Sequence, residues 1–224
     1  ARQWRMSAED SEIYGLKVED ALNQFIKDRS KVLSPSTITN YKRFLPLFDS
    51  ISKILVDDIK TSDIQPLINE WSISVRTKTI QNRISFLLTA LDYAECDKRF
   101  RLRYPQNPSK TITAPDTEDV KMLLDNAQED LKPILYLAAF GALRRGEIAG
   151  LRQKDISRDM CTVTVCGDMV LDDKKWVYKP FPKNAISGTL QLPKDVIESL
   201  PYSEDPESYV FNMNPNMISH RYDN

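Results

Sequence analysis

The sequence is poor in the residues that build metal and disulfide sites, with one histidine and three cysteines among 224 residues. Three is an odd number, which argues against a disulfide framework and favours a reducing compartment. A single histidine argues against a zinc site of the Cys/His type. The chain also has no glycine-rich phosphate-binding loop and no carboxylate cluster with metal-binding spacing. These absences agree with a function that uses no cofactor.

Long apolar runs are absent as well, so the sequence predicts no membrane span. The first ten residues, "ARQWRMSAED", have no apolar signal region. Hydrophobic content of 41% and charged content of 28% are ordinary for a globular protein. The length of 224 residues allows one large domain or two small ones.

Charge of one sign is not in excess overall, because the net charge is -1. The distribution is uneven, however: residues 1–115 carry a net +4 and residues 116–224 a net -5. The stretch 98–110, "KRFRLRYPQNPSK", has five basic residues and no acidic one. A near-neutral total does not exclude a nucleic-acid binder, since clustered cations are sufficient.

The first half of the chain has the apolar periodicity of helices. Four stretches show it: 18–29, 34–48, 61–71 and 77–97. Pro35 suits the first position of the second helix, with Ser34 as its cap. Short connections between four amphipathic helices predict a small bundle.

The segment 101–115 interrupts this pattern with three prolines, which indicates a linker and a domain boundary near residue 112. Beyond it, 117–127 predicts a helix, and 131–143 is apolar on nearly all sides, which predicts a buried helix. Three β-branched and aromatic runs, followed by a helix over 193–200, predict a three-stranded antiparallel sheet: 161–171, 174–182 and 188–193. The expected fold class is mainly α with a small antiparallel sheet (α+β).

The residues best suited to bind or act on a ligand lie in the stretch 135–156, "LYLAAFGALRRGEIAGLRQKDI". Arg144 follows the end of the apolar helix, and its planar fork of donors suits a phosphate diester or a carboxylate. Glu147, one turn later, could hold that arginine or bond neighbouring backbone amides. The alternative is an ordinary Arg–Glu pair on a solvated helix face. Spacing alone leaves both interpretations open.

This stretch resembles the first conserved box of the tyrosine recombinases, the phage-integrase family. The residues that match the box are Gly141, Arg144, Glu147, Leu151, Asp155 and Ile156. The Arg-x-x-Glu spacing selects Arg144, not Arg145, as the catalytic arginine. The stretch 178–193, "YKPFPKNAISGTLQLP", is similar to the family's β-hairpin, whose turn carries a catalytic lysine that Lys183 matches.

The resemblance implies a chemistry for these residue types. In the family a tyrosine hydroxyl attacks a DNA phosphodiester, forming a 3'-phosphotyrosyl link and releasing a 5'-hydroxyl. Arg144 would clamp the non-bridging oxygens, and Lys183 would protonate the leaving oxygen. Glu147 would support the site, and the resemblance implies that no cofactor is needed.

The resemblance also implies a domain organisation. We expect an N-terminal linker (1–16), a four-helix SAM-like core-binding domain (17–100), a basic linker (101–115) and a truncated catalytic domain (116–224). Basic residues of the first half are expected to track DNA phosphates: Lys42, Arg43, Arg76, Lys78, Arg83, Arg99, Arg101 and Arg103. Three residues are candidates for contact with base edges: Thr77, Gln81 and Asn82.

The family's second box and its nucleophile have no counterpart here. His220 is followed by Arg221 and Tyr222, but not in the His-x-x-Arg pattern, and we assign no tyrosine as nucleophile. We expect residues 1–224 to bind double-stranded DNA as a monomer without cleaving it. The full-length parent is expected to act as a homotetramer on DNA, away from membranes, in the cytoplasm of a bacterial host.

Three other interpretations stay open. The first is a non-catalytic DNA-binding protein with a degenerate integrase fold. The second is a helical protein-interaction module in which Arg144 and Glu147 form a surface pair. The third, a type IB topoisomerase, uses similar chemistry, but the compact bundle and short linker favour the recombinase.

Overall fold

The computed structural model describes residues 15–106, 113–180 and 188–222. The chain divides into two compact units, residues 1–111 and residues 112–224. We call them unit 1 and unit 2 and describe each by itself.

The regular elements in the described part of unit 1 are all helices. Its elements are α1 (Val18–Arg29), α2 (Pro35–Phe44), a 3-10 segment (Leu45–Ile51), α3 (Thr61–Trp71) and α4 (Thr77–Tyr93). Pro35 stands at the first position of α2, where its missing N–H costs no helical hydrogen bond. At the start of α3, the Lys60 N–H donates to the Asp63 carboxylate at 2.8 Å. That bond satisfies a backbone donor at the helix start.

The core of unit 1 is built around aromatic rings. Phe86 of α4 is 1% exposed, and the Tyr41 ring stacks on it with centroids 4.3 Å apart. Phe48 packs edge-on against Trp71 at 5.7 Å. These contacts join α2, the 3-10 segment, α3 and α4, so the bundle has a single continuous core.

Unit 2 combines short helices with strands. Its helices are α5 (Thr117–Asn126), α6 (Lys132–Gly141), α7 (Arg145–Gly150), α8 (Lys194–Ser199) and α9 (Pro215–Tyr222). Its strands are β1 (Ile156–Ser157), β2 (Thr162–Val165), β3 (Gly167–Asp172), β4 (Lys175–Pro180) and β5 (Gly188–Gln191). The α+β fold class expected from the sequence is confirmed.

The strands form two sheets, which differs in detail from the single sheet that the sequence predicts. One sheet has the order β1-β2-β5, with both pairs antiparallel. The other is the hairpin β3-β4, in which Gly167 lies opposite Pro180. The run 161–171 is therefore two strands, divided at Cys166, and each half pairs with a different partner.

The apolar helix α6 is buried only over part of its length. Ile134 and Leu137 are buried, but Phe140 is 55% exposed, and Ala138 and Ala139 are exposed beside it. The expectation of a helix buried over its whole length was wrong at this end. No residue of the neighbouring helix α5 is buried, so α5 covers this end only partly.

Candidate functional site

Arg144 stands at the start of a helix. Helix α6 ends at Gly141, and Ala142 takes a left-handed conformation with φ 51° that turns the chain. Arg144 is the N-cap of α7, with extended backbone at φ -75° and ψ 153°. Only Ala142 and Leu143 separate the end of α6 from this cap, so the turn fixes where the arginine stands.

Glu147 holds Arg144 at two points. Its Oε2 accepts the Arg144 backbone N–H at 2.8 Å, and its Oε1 accepts Arg144 Nη1 at 2.8 Å. The Glu147 side chain is 6% exposed, whereas that of Arg144 is 59% exposed. This pair is therefore not the solvated surface pair that spacing alone allowed. A buried carboxylate thus fixes one edge of the guanidinium of an exposed side chain.

Helix α7 is short and packs closely against strand β3 of the β3-β4 hairpin. Gly146 and Gly150 lie on the face that meets β3. A Cβ atom on Gly146 would stand 3.1 Å from the Met169 carbonyl oxygen, and one on Gly150 would stand 3.3 Å from the Asp168 backbone. The glycines thus allow α7 to approach β3 at backbone distance, which fixes its first residue relative to the hairpin.

The adjacent Arg145 has a different environment. Its Nη1 donates to the hydroxyl of Ser219 in α9. The two neighbouring guanidinium groups are thus separated, one held by Glu147 and one bound to α9. The choice of Arg144 over Arg145 as the catalytic residue stays a prediction from the sequence.

The second catalytic candidate, Lys183, lies outside the described residues. The structure describes the strands on either side of it, with β4 ending at Pro180 and β5 beginning at Gly188. Its role and its relation to Arg144 stay predictions from the sequence.

A polar and aromatic cluster that the sequence did not reveal surrounds Arg152, just after α7. The Arg152 guanidinium lies over the Tyr178 ring at 4.1 Å and over the Tyr209 ring at 5.5 Å. Its Nη1 donates to Glu207 Oε2 at 2.7 Å, and Lys154 Nζ donates to Glu207 Oε1 at 2.6 Å. Arg152 therefore joins the β3-β4 hairpin to the segment before α9.

Titratable groups in this cluster have shifted pKa values. Burial raises the pKa of the Tyr178 phenol, and the nearby Asp155 carboxylate raises it further. Burial also raises the pKa of the Cys166 thiol, again with a contribution from Asp155. A hydrogen bond from Lys154 lowers the pKa of Glu207. These shifts favour a charged Glu207 carboxylate, a neutral Tyr178 phenol and a neutral Cys166 thiol, which suits a structural cluster.

The predicted DNA-contacting residues of unit 1 are mostly exposed. Lys42 and Arg43 lie in the last turn of α2. Arg76 caps α4, and Lys78 is in its first turn. All four side chains are exposed, so they are available to a ligand.

Two other candidates at α4 have contacts within the bundle. The Arg83 guanidinium lies over the Trp71 ring at 5.0 Å. Thr77 is 7% exposed, and its hydroxyl donates to the Pro105 carbonyl at 3.5 Å. The suggestion that Thr77 reads base edges was therefore wrong, because its hydroxyl is buried against the segment after α4.

The last three candidates, Arg99, Arg101 and Arg103, follow α4 in the extended segment 98–106. All three are exposed, whereas the alternating residues Phe100 and Leu102 pack against the bundle core. Among the described residues, none of these guanidinium groups forms an ion pair with a carboxylate.

Metal-binding clusters and membrane-spanning helices are both absent from the described ranges. Within them no group of three or more His, Cys, Asp or Glu side chains could hold a metal ion. In the same ranges, no helix has the length and apolar character needed to cross a membrane.

Comparison with known proteins gives independent information on the fold. The profile of the phage integrase N-terminal SAM-like domain matches residues 17–72. No curated protein matches the chain.

Several solved structures are similar over most of this chain. The Tn1549 transposon integrase in complex with a circular intermediate DNA is 15% identical, with a TM-score of 0.72, over 88% of this chain and 71% of that one. The same integrase with transposon right end DNA is 16% identical, with a TM-score of 0.70, over 82% of this chain and 63% of that one. A lambda integrase tetramer bound to a Holliday junction is 12% identical, with a TM-score of 0.63, over 99% and 69%.

These matches confirm the resemblance that the sequence predicted. The profile covers α1 to α3 of unit 1, and the structural similarity extends through unit 2, which carries the Arg144 box. Residues 17–72 thus match the phage integrase N-terminal SAM-like domain, and the chain has the fold of the solved Tn1549 and lambda integrases.

Proposed function

We propose that this chain is part of a site-specific tyrosine recombinase that integrates or excises a phage or mobile element. The observation that carries the proposal is the Arg144–Glu147 pair, in which a buried carboxylate orients a half-exposed guanidinium at a helix start. Structures with this fold include integrases bound to DNA. The sequence match of the Arg144 box supports the same conclusion.

Arg144 is proposed to bind the scissile phosphate of DNA. Its Nη1 is engaged by Glu147, and the rest of the planar fork can donate to two non-bridging oxygens. Since Arg144 is held before DNA arrives, its positive charge needs little reorganisation as negative charge develops on the phosphorus oxygens. Lys183 is proposed to give a proton to the leaving 5'-oxygen.

The nucleophile is proposed to come from outside residues 1–224. Three tyrosine rings of unit 2 lie against arginines: Tyr178 and Tyr209 against Arg152, and Tyr202 against Arg158. We therefore propose that these 224 residues bind duplex DNA as a monomer and form no covalent adduct. In the full-length enzyme a tyrosine would form the 3'-phosphotyrosyl link, within a tetramer assembled on two duplexes.

Two assays with residues 1–224 test this proposal. In the first, anisotropy of a labelled mixed-sequence duplex is measured against protein concentration at several salt concentrations. We expect log K to fall linearly with log salt, because phosphate contacts release counterions. Absence of binding at low salt would contradict the DNA-binding proposal.

In the second assay, a pool of nicked duplexes with randomised sequence is incubated with the chain and separated under denaturing conditions. We expect no protein band that carries DNA label. A labelled band that survives denaturation would show that a tyrosine within these residues is the nucleophile and would overturn that part of the proposal.

A further inference from the structure

The segment 98–106 of unit 1 follows α4 and has no helix or strand of its own, yet it is ordered by side-chain contacts. Phe100 and Leu102 are partly buried against the unit 1 core. Arg99, Arg101 and Arg103 alternate with them and are exposed. This period of two is that of an extended chain with one face packed and one face in solvent.

Gln65 in α3 holds this segment through an amide-to-backbone pair. Its Nε2 donates to the Arg103 carbonyl at 2.9 Å, and its Oε1 accepts the Arg103 N–H at 2.9 Å. The two bonds imitate the pairing of a neighbouring β-strand. Nε2 also donates to Asn69 Oδ1 at 3.0 Å, so both amide hydrogens have acceptors and the orientation of the amide is fixed.

Two further contacts fix the segment on either side of Arg103. Lys98 Nζ donates to the Ile59 carbonyl at 3.2 Å and to the Asp57 carbonyl. At the other end, the Pro105 carbonyl accepts the Thr77 hydroxyl. The segment therefore runs from the loop before α3 to the first residue of α4, where Arg76 and Lys78 are exposed.

The spacing of the exposed arginines suits a phosphate backbone. In an extended chain, alternate residues are roughly 6.6 Å apart. Along one DNA strand, phosphates recur about every 3.4 Å of helix axis, so alternate phosphates are about 6.8 Å apart along that axis. Arg76 and Lys78, at the start of α4 beside the end of the segment, are exposed as well.

We propose that Gln65 is a positioning residue. It holds Arg99, Arg101 and Arg103 as a preformed row that binds phosphates along one strand of DNA. This inference rests on the proposed function and adds a residue that itself carries no charge. Gln65 acts through Arg103, because both backbone groups of Arg103 are bound by its amide. A row that is ordered before binding loses less conformational freedom when DNA arrives.

The test uses residues 1–224, a labelled mixed-sequence duplex of about three helical turns, and four variants. These are Gln65→Ala, the triple variant with Arg99, Arg101 and Arg103 each changed to Gln, the combination of the two, and Gln24→Ala. Gln24 is a matched control, because among the described residues its amide bonds to Asp28, one turn away on α1, and not to the arginine row. Alanine is a good helix former, so neither glutamine change should disturb its helix.

We expect Gln65→Ala to weaken DNA binding by about 3- to 10-fold at moderate salt, through the loss of an ordered row. The triple variant should reduce the salt slope by about 2.7, since each lost phosphate contact removes about 0.9. Adding Gln65→Ala to the triple variant should change the affinity no further. Hydrogen exchange of the Arg103 amide should accelerate in Gln65→Ala, while exchange in the α1 to α4 core stays unchanged.

Three outcomes would overturn the inference. The first is unchanged DNA affinity in Gln65→Ala, and the second is an equally large loss of DNA affinity in Gln24→Ala. The third is the same loss of affinity when Gln65→Ala is added to the triple variant, which would show that Gln65 does not act through the arginines. If the unmutated chain binds DNA and the triple variant binds equally well, the row is not a contact, although the proposed function survives. If the unmutated chain does not bind DNA, both proposals fall.

Discussion

Replacing Glu147 with alanine should loosen unit 2 and leave unit 1 unchanged. The Glu147 carboxylate is 6% exposed and accepts two hydrogen bonds from Arg144, one from the backbone N–H and one from Nη1. Alanine at this position removes both acceptors. The Arg144 N–H at the start of α7 then has no partner in the helix.

The expected magnitude follows from these two bonds. Loss of a side-chain acceptor at a helix N-terminus costs about 1 kcal/mol. A hydrogen bond to a charged group is worth about 1.5–3 kcal/mol, and the lower end applies because the Arg144 side chain is 59% exposed. The sum is about 2–3 kcal/mol of lost stability in unit 2. Glu147→Gln keeps one acceptor oxygen and should lose about half as much.

Hydrogen exchange followed by peptide mass spectrometry measures this effect unit by unit. A loss of about 2–3 kcal/mol corresponds to roughly 30- to 160-fold faster exchange for protected amides of α7 and β3. Amides of α4 in unit 1 serve as the internal control. Acceleration below about threefold at α7, or equal acceleration in α4, would refute the claim that Glu147 is the buried support of Arg144.

Three further predictions concern unit 2. Ala142→Gly should stabilise unit 2 by about 0.5–1 kcal/mol, because Ala142 has φ 51° and glycine tolerates the left-handed region. Slower hydrogen exchange at the end of α6 would check the prediction, and a destabilised unit 2 would contradict it. Gly167→Ala should cost about 2–3 kcal/mol, since a Cβ atom there would stand 2.7 Å from Tyr178 Cζ and against the Lys179 carbonyl. Gly188→Ala, with no described atom within 4 Å of the new methyl, is its control in the same exchange assay, and an equal cost in both would contradict the clash. Because the pKa of Glu207 is lowered by its hydrogen bond from Lys154, its contribution is present above the unfolded value near 4.5 and is lost as pH falls through the folded value. Calorimetry from pH 6 to pH 3.5 should therefore show a smaller loss of stability in Glu207→Gln than in the unmutated chain, and identical profiles would refute the linkage.

The helices of unit 1 could be predicted closely because their signals are local. The ranges 18–29 and 61–71 are the observed bounds of α1 and α3. Helix α2 ends earlier than its apolar stripe suggests, at Phe44, because the chain tightens into a 3-10 segment that contains Pro46. Apolar periodicity indicates which face of a helix is buried. Because the period is similar in α-helices and 3-10 helices, it does not separate the two.

The sheets were harder to predict because pairing is not local. The run 161–171 has β-branched residues on both sides of the stretch 166–169, and its composition does not show that the two sides have different partners. β2 pairs with β5, which lies beyond the whole β3-β4 hairpin. A sequence pattern identifies strands by their composition, whereas the partner of each depends on the remainder of the fold.

The candidate site was predictable only in part for the same reason. The Arg144–Glu147 pair spans three positions, so its spacing is visible in the sequence. The cluster around Arg152 joins Tyr178 and Tyr209, which are distant in the chain. The role of Gln65 depends on Arg103, which is 38 positions away. No short motif could have indicated either arrangement.

The most direct test of the central claim compares Arg144→Gln with Arg145→Gln in the duplex-binding assay, with exchange of α7 amides as a check on folding. Both variants lose one positive charge, but only Arg144 is held by Glu147, whereas Arg145 is bound to Ser219. The account predicts that Arg144→Gln weakens DNA binding and lowers the salt slope by about 0.9, while Arg145→Gln has a smaller effect on both. Equal effects of the two changes, or a larger effect of Arg145→Gln, would contradict it.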